Sequence, residues 1–456
     1  MTLLIGLFLA LWLFILSTRS IPTIFKFIFW ITFINVFITH AIIQRHVFDL
    51  TGSGYATRIF WIADVLTYVI FLRMLKIKKY AKEIISVNIF SIAFVIIIIS
   101  NMLNYQSIIY SILSTRMLYQ YLFLAYIIYI YQFSDKEYSY YMRAFYYIAL
   151  INSTFSILQF IFMDQLNLSP QMTGGVFGYH GTGIGAVYSV LASGIMFQRY
   201  QNSKSIGDVF RSIYFAIPIV TGYAYGGFIL LILMILVLLV TSKKQLRIYE
   251  VIRVGVIGLS IIILTLYVAQ KYQSEEDFNS YAAKFSNLRK FTDYTIKYSD
   301  NSSSSHGRLG AIIFAYDSIS KNVSTILFGH GPGSLSYIGY TLGFGSSAFQ
   351  KFGIIRTPSL FPSYLYETGF CGVIILIYAF ISLYVKASQP KSKKGEYIPF
   401  YINYVPALVV VYFVGLFYTA VLSNYLLVFY FAIYIGSVHR NSKVNIKSNQ
   451  IFSLNE

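Results

Sequence analysis

Long apolar runs, broken by short polar and basic clusters, dominate the chain from end to end. Runs long enough to cross or nearly cross a bilayer fall at residues 2–17, 24–43, 57–75, 87–104, 108–131, 144–163, 181–198, 208–223, 227–241, 254–270, 365–386, 400–419 and 422–438. They predict an all-α polytopic membrane protein with about 12–14 transmembrane helices. The run from Leu3 to Leu16 lacks a basic n-region and a small-residue cleavage motif before Thr18-Arg19-Ser20, so it reads as a retained first helix rather than a signal peptide.

The polar remainder sets the organisation. Residues 1–270 carry helices one to ten, 271–364 form one large external loop with short amphipathic helices, 365–440 carry helices eleven to thirteen, and 441–456 form a cytoplasmic tail. Strong basic clusters sit at Arg73, Lys76, Lys78, Lys79 and Lys82, at Lys243, Lys244, Arg247 and Arg253, and at Lys386, Lys391, Lys393 and Lys394. All three lie on the cytoplasmic side if 208–241 is two short helices joined by an external turn near Gly222 to Gly227. Within the large loop, Leu309, Ile312, Ile313, Tyr316 and Ile319 recur at helical spacing. Serines stand ready to cap that helix and Asn322 falls near its end. No internal repeat and no pattern of broken helices is visible, which weakens a transporter reading.

Composition adds constraints. At 57% hydrophobic and 11% charged, the 456 residues have too little polar surface for a soluble globule. The net charge of +18 is scattered between apolar segments, which is the positive-inside pattern and not a nucleic-acid patch. The single cysteine, Cys371, excludes an intramolecular disulfide and a cysteine-based metal site. Glu275, Glu276 and Asp277 read as a solvated face, so no metal and no cofactor is expected. The aromatic content of 19% suits interfacial belts first and sugar stacking second.

Candidate chemistry concentrates on the predicted external side. Arg308 falls in a first helical turn, where a cation opposes the dipole by about 0.3–1 kcal/mol. A bound anion shared with His306 and free N–H groups would resolve the conflict; snorkelling into headgroups would also do so. "FGHGPGS", Phe328 to Ser334, lacks the Lys-Ser/Thr of a P-loop and reads instead as a tight turn that admits close backbone approach, with His330 held in it. His180 and His330 are candidate bases, or polar loop residues. Arg116 and Asp64 lie inside predicted spans. Either they pair with each other, or Arg116 reaches an anionic headgroup at the floor of an external cavity.

The order "GR" ahead of a helix, then "LFGHGPGS", then "PSLFPSYLYETGFCG", preceded by the glycine-rich "TGGVFGYHGTGIGAVYSVLASGI" of Thr173 to Ile195, resembles the O-antigen polymerase and ligase superfamily, the Wzy-type enzymes. The resemblance covers roughly residues 105–440. It implies a GT-C-like, metal-independent, inverting glycosyltransferase in the cytoplasmic (inner) membrane, with its site facing the periplasm or cell exterior. Its partners would be polyprenyl-diphosphate-linked oligosaccharides in the lipid bilayer, with chain-length regulator and flippase proteins beside it. Arg308 matches the family's loop arginine and would clamp diphosphate. Gly329, Gly331 and Gly333 match the glycine turn that shapes the site. His330, His180 and Glu367 complete the catalytic candidates, and Arg116, Arg289 and Arg356 would supply further diphosphate contacts. Two departures favour polymerase over ligase: Pro358-Ser359 stands where the ligase branch has His-Asn, and "TGYAYGG", 221–227, lacks an arginine many members carry. A lipid-linked oligosaccharide flippase is the alternative from another class.

Overall fold

The fold is taken from a computed structural model and is described for residues 18–36, 53–85, 89–104, 122–162, 175–177, 182–222, 224–241, 267, 308–332, 334, 359–388, 404–419 and 426–436. Among the described residues there is no strand. The helices in chain order are α1 (Ile21–Val36), α2 (Ser53–Leu75), α3 (Lys78–Ile85), α4 (Ile89–Asn104), α5 (Leu122–Tyr131), α6 (Asp135–Ile161), α7 (Thr182–Ser203), α8 (Ile206–Thr221), α9 (Tyr225–Thr241), α10 (Arg308–Ile319), α11 (Val323–Phe328), α12 (Leu360–Ser388), α13 (Val405–Tyr418) and α14 (Leu426–Gly436). The expected spans 2–17 and 254–270, most of the loop 271–364 and the tail 441–456 lie outside the described residues.

Where the apolar pattern is long, the helices follow it. The expected pair within 208–241 forms as α8 and α9, parted by Gly222 to Ala224. α6 starts well ahead of the expected residue 144, because Ser134 and Glu137 form a capping box: Ser134 N–H donates to Glu137 Oε2 at 2.7 Å and Glu137 N–H to Ser134 Oγ at 3.4 Å. Tyr138 and Tyr141 are then buried rather than left in a polar loop, Tyr141 completely.

Aromatic residues fill the interior, not only the interfaces. Seven tyrosines are among the largest fully buried side chains: Tyr141, Tyr188, Tyr366, Tyr404, Tyr412, Tyr430 and Tyr434. Buried hydrogen bonds add to the packing of these rings. Tyr188 Oη donates to Phe145 O at 2.7 Å, Tyr404 Oη to Leu191 O at 2.8 Å and Tyr412 Oη to Leu427 O at 2.6 Å. Phe29 meets Tyr141, Phe145 and Phe429 with ring centroids 5.4, 5.3 and 5.4 Å away. The outer surface is inverted in kind: Ile374, Tyr378, Ile381 and Val385 form a helically spaced stripe on α12, exposed by 62, 59, 57 and 50%.

The side-chain contacts give the bundle two distinct ends. At one, Arg73 donates to the Arg19 carbonyl, Trp30 meets Tyr140, Tyr138 meets Tyr434, and Arg199 and Arg211 flank buried Asp208 at 3.3 and 2.9 Å. This basic end also carries Lys76, Lys78, Lys79 and Lys82. The other end gathers the close glycine contacts, Gly183 against Thr419 and Gly226 against Tyr418.

The expected amphipathic helix forms as α10, with only part of its apolar set, Ile312 and Ile319, turned inward. Ala311, Ala315 and Ile319 are buried, while Leu309, Ile313 and Tyr316 are 46, 39 and 50% exposed. Small residues let α10 lie close on α12, which the bulkier stripe would prevent. Asn322 does not end α10; it is the N-cap residue of α11, without a side-chain cap bond.

Candidate functional site

α11 ends at Gly329, whose φ of 69° and ψ of −166° only glycine adopts readily, and whose N–H closes the last turn on Thr325 O at 2.8 Å. The chain then pairs with α12. His330 N–H donates to Tyr366 O at 2.9 Å and Gly331 N–H to Glu367 O at 3.0 Å. Those two carbonyls lead into a break: Gly369, with φ 62° and ψ −164°, interrupts α12 and divides it into two helical pieces. The sequence pattern gave no sign of a broken helix, because the apolar run continues through the glycine.

The two glycines fit against each other. A Cβ on Gly329 would lie 2.4 Å from the Glu367 carbonyl carbon, and one on Gly369 would lie 2.6 Å from Gly329 N and 2.7 Å from Ile326 O. Backbone thus meets backbone with no room for any side chain. α4 clips the junction from a third side. Ser100 Oγ donates to Phe328 O at 2.6 Å and more weakly to Glu367 O at 3.4 Å, and Asn104 Nδ2 reaches Gly329 O at 3.2 Å. Irregular backbone inside a bundle is tolerated when neighbouring helices satisfy its polar groups, as Ser100 and Asn104 do here.

His330 is half-buried in this junction. Its ring lies 4.5 Å from that of Tyr366 at 33°, and Nε2 is 3.2 Å from Ser318 O. A carbonyl only accepts, so the bond assigns the proton to Nε2 and leaves Nδ1 as the basic atom. Burial pushes the imidazole pKa below its ordinary value; the Ser318 bond opposes this and Lys321 adds to it. Glu367 is 4% exposed and engaged within the fold. The Ser334 and Ser359 hydroxyls, on residues only 2% exposed, have no hydrogen-bond partner among the described residues. A buried hydroxyl left so costs about 1–3 kcal/mol and is ready to receive a polar group.

A second polar node holds the other glycine motif. Gln159 Oε1 accepts from Gly175 N–H at 2.9 Å, Gln159 Nε2 donates to Gly175 O at 3.2 Å, and Asn152 Oδ1 accepts from Val176 N–H at 3.0 Å. Gly175, at φ 72°, fits because its missing Cβ would lie 2.3 Å from Asn152 Oδ1. α7 begins just beyond, at Thr182.

The structure therefore brings together His330, Gly329, Gly331 and Glu367 from the sequence candidates. Arg308 is the first residue of α10, and its backbone alone is described. It stands ten residues, about 15 Å of helix, from Ser318, where His330 docks. Arg116, Arg289, Arg356, His180 and Gly333 lie outside the described residues. Asp64 is buried and engaged, while the proposed partner Arg116 is not described. Sequence reasoning missed Ser100, Asn104, Asn152 and Gln159. A signal existed for the last two, since Asn152, Ser156 and Gln159 recur at helical spacing inside an apolar segment. Among the described residues no three His, Cys, Asp or Glu side chains converge as metal ligands.

By fold the chain is an all-helical protein with two helices, Asp135–Ile161 and Leu360–Ser388, long and apolar enough to cross a membrane, and with several shorter apolar helices beside them. No protein-family model matches the chain, nor does a curated protein or a solved structure.

Proposed function

We propose that the chain is a polytopic, GT-C-like membrane glycosyltransferase that polymerises polyprenyl-diphosphate-linked oligosaccharide repeats, on the outer face of the cytoplasmic membrane. The observation that carries this reading is the docking of "FGHG" onto "YETG", which holds the half-buried His330 at the glycine junction with Nε2 on Ser318 O. In the reaction an acceptor sugar hydroxyl attacks the donor's anomeric carbon. The bond from that carbon to the diphosphate oxygen breaks and polyprenyl diphosphate leaves with the electron pair, while the hydroxyl proton passes to His330 Nδ1. Diphosphate is already a good leaving group, so a cation at Arg308 that stabilises its charge supplies much of the remaining catalysis. The separation of Arg308 from the His330 junction suits two groups that address different parts of one large ligand.

The test supplies purified protein with a lipid-diphosphate repeat and no added metal. A ladder of product lengths is expected, lost in His330→Ala and in Arg308→Ala while single repeats still reach the cell surface. Normal chain lengths in both variants would remove this mechanism. The break at Gly369 favours a second reading, a lipid-linked oligosaccharide flippase, because discontinuous helices line transport sites. A flippase predicts loss of surface repeats in the same variants and no ladder in vitro. Joining a finished chain to a different acceptor, with no ladder, would identify a ligase.

A further inference from the structure

At the basic end, α1 and α6 enclose a cavity of about 780 Å³ whose lining includes Lys26, Lys136 and Arg143 against the single carboxylate of Asp135. Among the described residues none of the three cations has a carboxylate within ion-pair distance. Lys26 is held instead by an aromatic face, its Nζ 4.5 Å from the centre of the Tyr140 ring, and Tyr140 Oη accepts the Trp30 indole N–H at 2.5 Å. The ammonium is thus fixed in place without being neutralised.

The chemistry along the two helices has a direction. On α1, Lys26 is followed one turn on by Trp30 and a further turn on by Ile34, which is 48% exposed. On the matching face of α6, Lys136 and Arg143 give way to Tyr147, 58% exposed, and then to Leu150, Ile151 and Leu158, exposed by 39, 42 and 46%. Both helices therefore run from cation through aromatic ring to bare aliphatic surface in the same sense. That order matches a phosphate headgroup, a glycerol backbone and acyl chains, and aromatic rings favour the middle layer. A small soluble anion would use the cations and leave the apolar continuation without purpose.

We propose that this groove binds the phosphodiester headgroup of an anionic membrane phospholipid, with the acyl chains lying along α6. Two removed cations, at about fivefold each, predict about a twenty-five-fold loss of preference for the anionic lipid. The purified full-length chain in detergent is titrated with phosphatidylglycerol, phosphatidylcholine or inorganic phosphate, and retained lipid is counted by native mass spectrometry beside the thermal midpoint. Phosphatidylglycerol is expected to be retained and to raise the midpoint, phosphatidylcholine and phosphate to do neither. The Lys136→Gln/Arg143→Gln double variant should lose the anionic preference, and Arg143→Lys should keep it. Equal retention of both lipids, an equal effect of phosphate, or undiminished preference in the double variant would overturn the proposal. Should the double variant fail to fold, Lys26→Gln, a change on α1 that gives up only the contact to the Tyr140 ring, is read by the same criteria.

Discussion

Gly369→Ala tests the junction most directly. At φ 62° and ψ −164° an alanine sits in a region close to glycine-only, at about 1–3 kcal/mol. Its Cβ would also stand 2.6 Å from Gly329 N and 2.7 Å from Ile326 O, both backbone atoms with no rotamer to escape through. Relief requires the two segments to part, which breaks the bonds from His330 N–H to Tyr366 O and from Gly331 N–H to Glu367 O. Each buried group left unpaired adds about 1–3 kcal/mol. The sum is on the order of 4 kcal/mol or more, in the range reserved for a few severe mechanisms. Gly207→Ala is the control: its Cβ would meet only Ser205 Oγ at 3.6 Å, near the start of α8, and the expected change is neutral to slightly stabilising. Thermal unfolding in detergent reads both. Because Gly329→Ala disrupts the same contact, the double variant should lose much less than the sum of the singles. A Gly369→Ala protein as stable and active as the parent, or strict additivity with Gly329→Ala, would show that the reciprocal glycine fit does not hold the junction.

Three further outcomes follow from neighbouring contacts. Ser100→Ala leaves the Phe328 carbonyl without its side-chain donor and is expected to destabilise by about 1–3 kcal/mol, read as a lowered unfolding midpoint, with Ser100→Thr recovering much of it. Gln159→Leu removes both bonds to Gly175 and should loosen it while Asn152 still holds Val176, seen as faster hydrogen exchange at Gly175 with little change at α12. The imidazole of His330 has a folded pKa below its unfolded value of about 6.5, so the unfolded chain binds the proton more readily. Its stability contribution is present above that pH and is lost as pH falls below it; His330→Gln should flatten this acid-side slope, and an identical slope in both proteins would argue against a buried neutral imidazole.

Much of the bundle was legible because a transmembrane-type helix must satisfy its own backbone and cover itself with apolar side chains, which leaves a long and regular trace. The runs 57–75, 87–104 and 227–241 reappear as α2, α4 and α9 with ends displaced by a few residues. Failures occurred where local chemistry overrode hydropathy. The capping box at Ser134 moved the start of α6 upstream, and buried tyrosines behaved as core residues because carbonyls in the bundle accept their hydroxyls. On α10 the periodicity was real, but Ala311 and Ala315 were chosen over Leu309 and Ile313 for the buried face, since contact distance to α12 favours small side chains.

Alone, the sequence determined that the chain is helical, that its basic residues gather between apolar segments, and that glycine-rich turns flank a histidine. Those properties are local: each follows from runs of residue types within a few turns of one another. Only the tertiary structure decided that Gly329 and Gly369 need each other, that Ser100 and Asn104 clip them, and that His330 turns Nε2 to Ser318 O. Such facts depend on groups brought together across the chain, from 12 residues apart for His330 and Ser318 to 228 for the Ser100 bond to Phe328. Hydropathy carries no record of which backbone carbonyl a distant serine will reach. The contact exists because a break in one helix exposes backbone groups that another segment is shaped to satisfy.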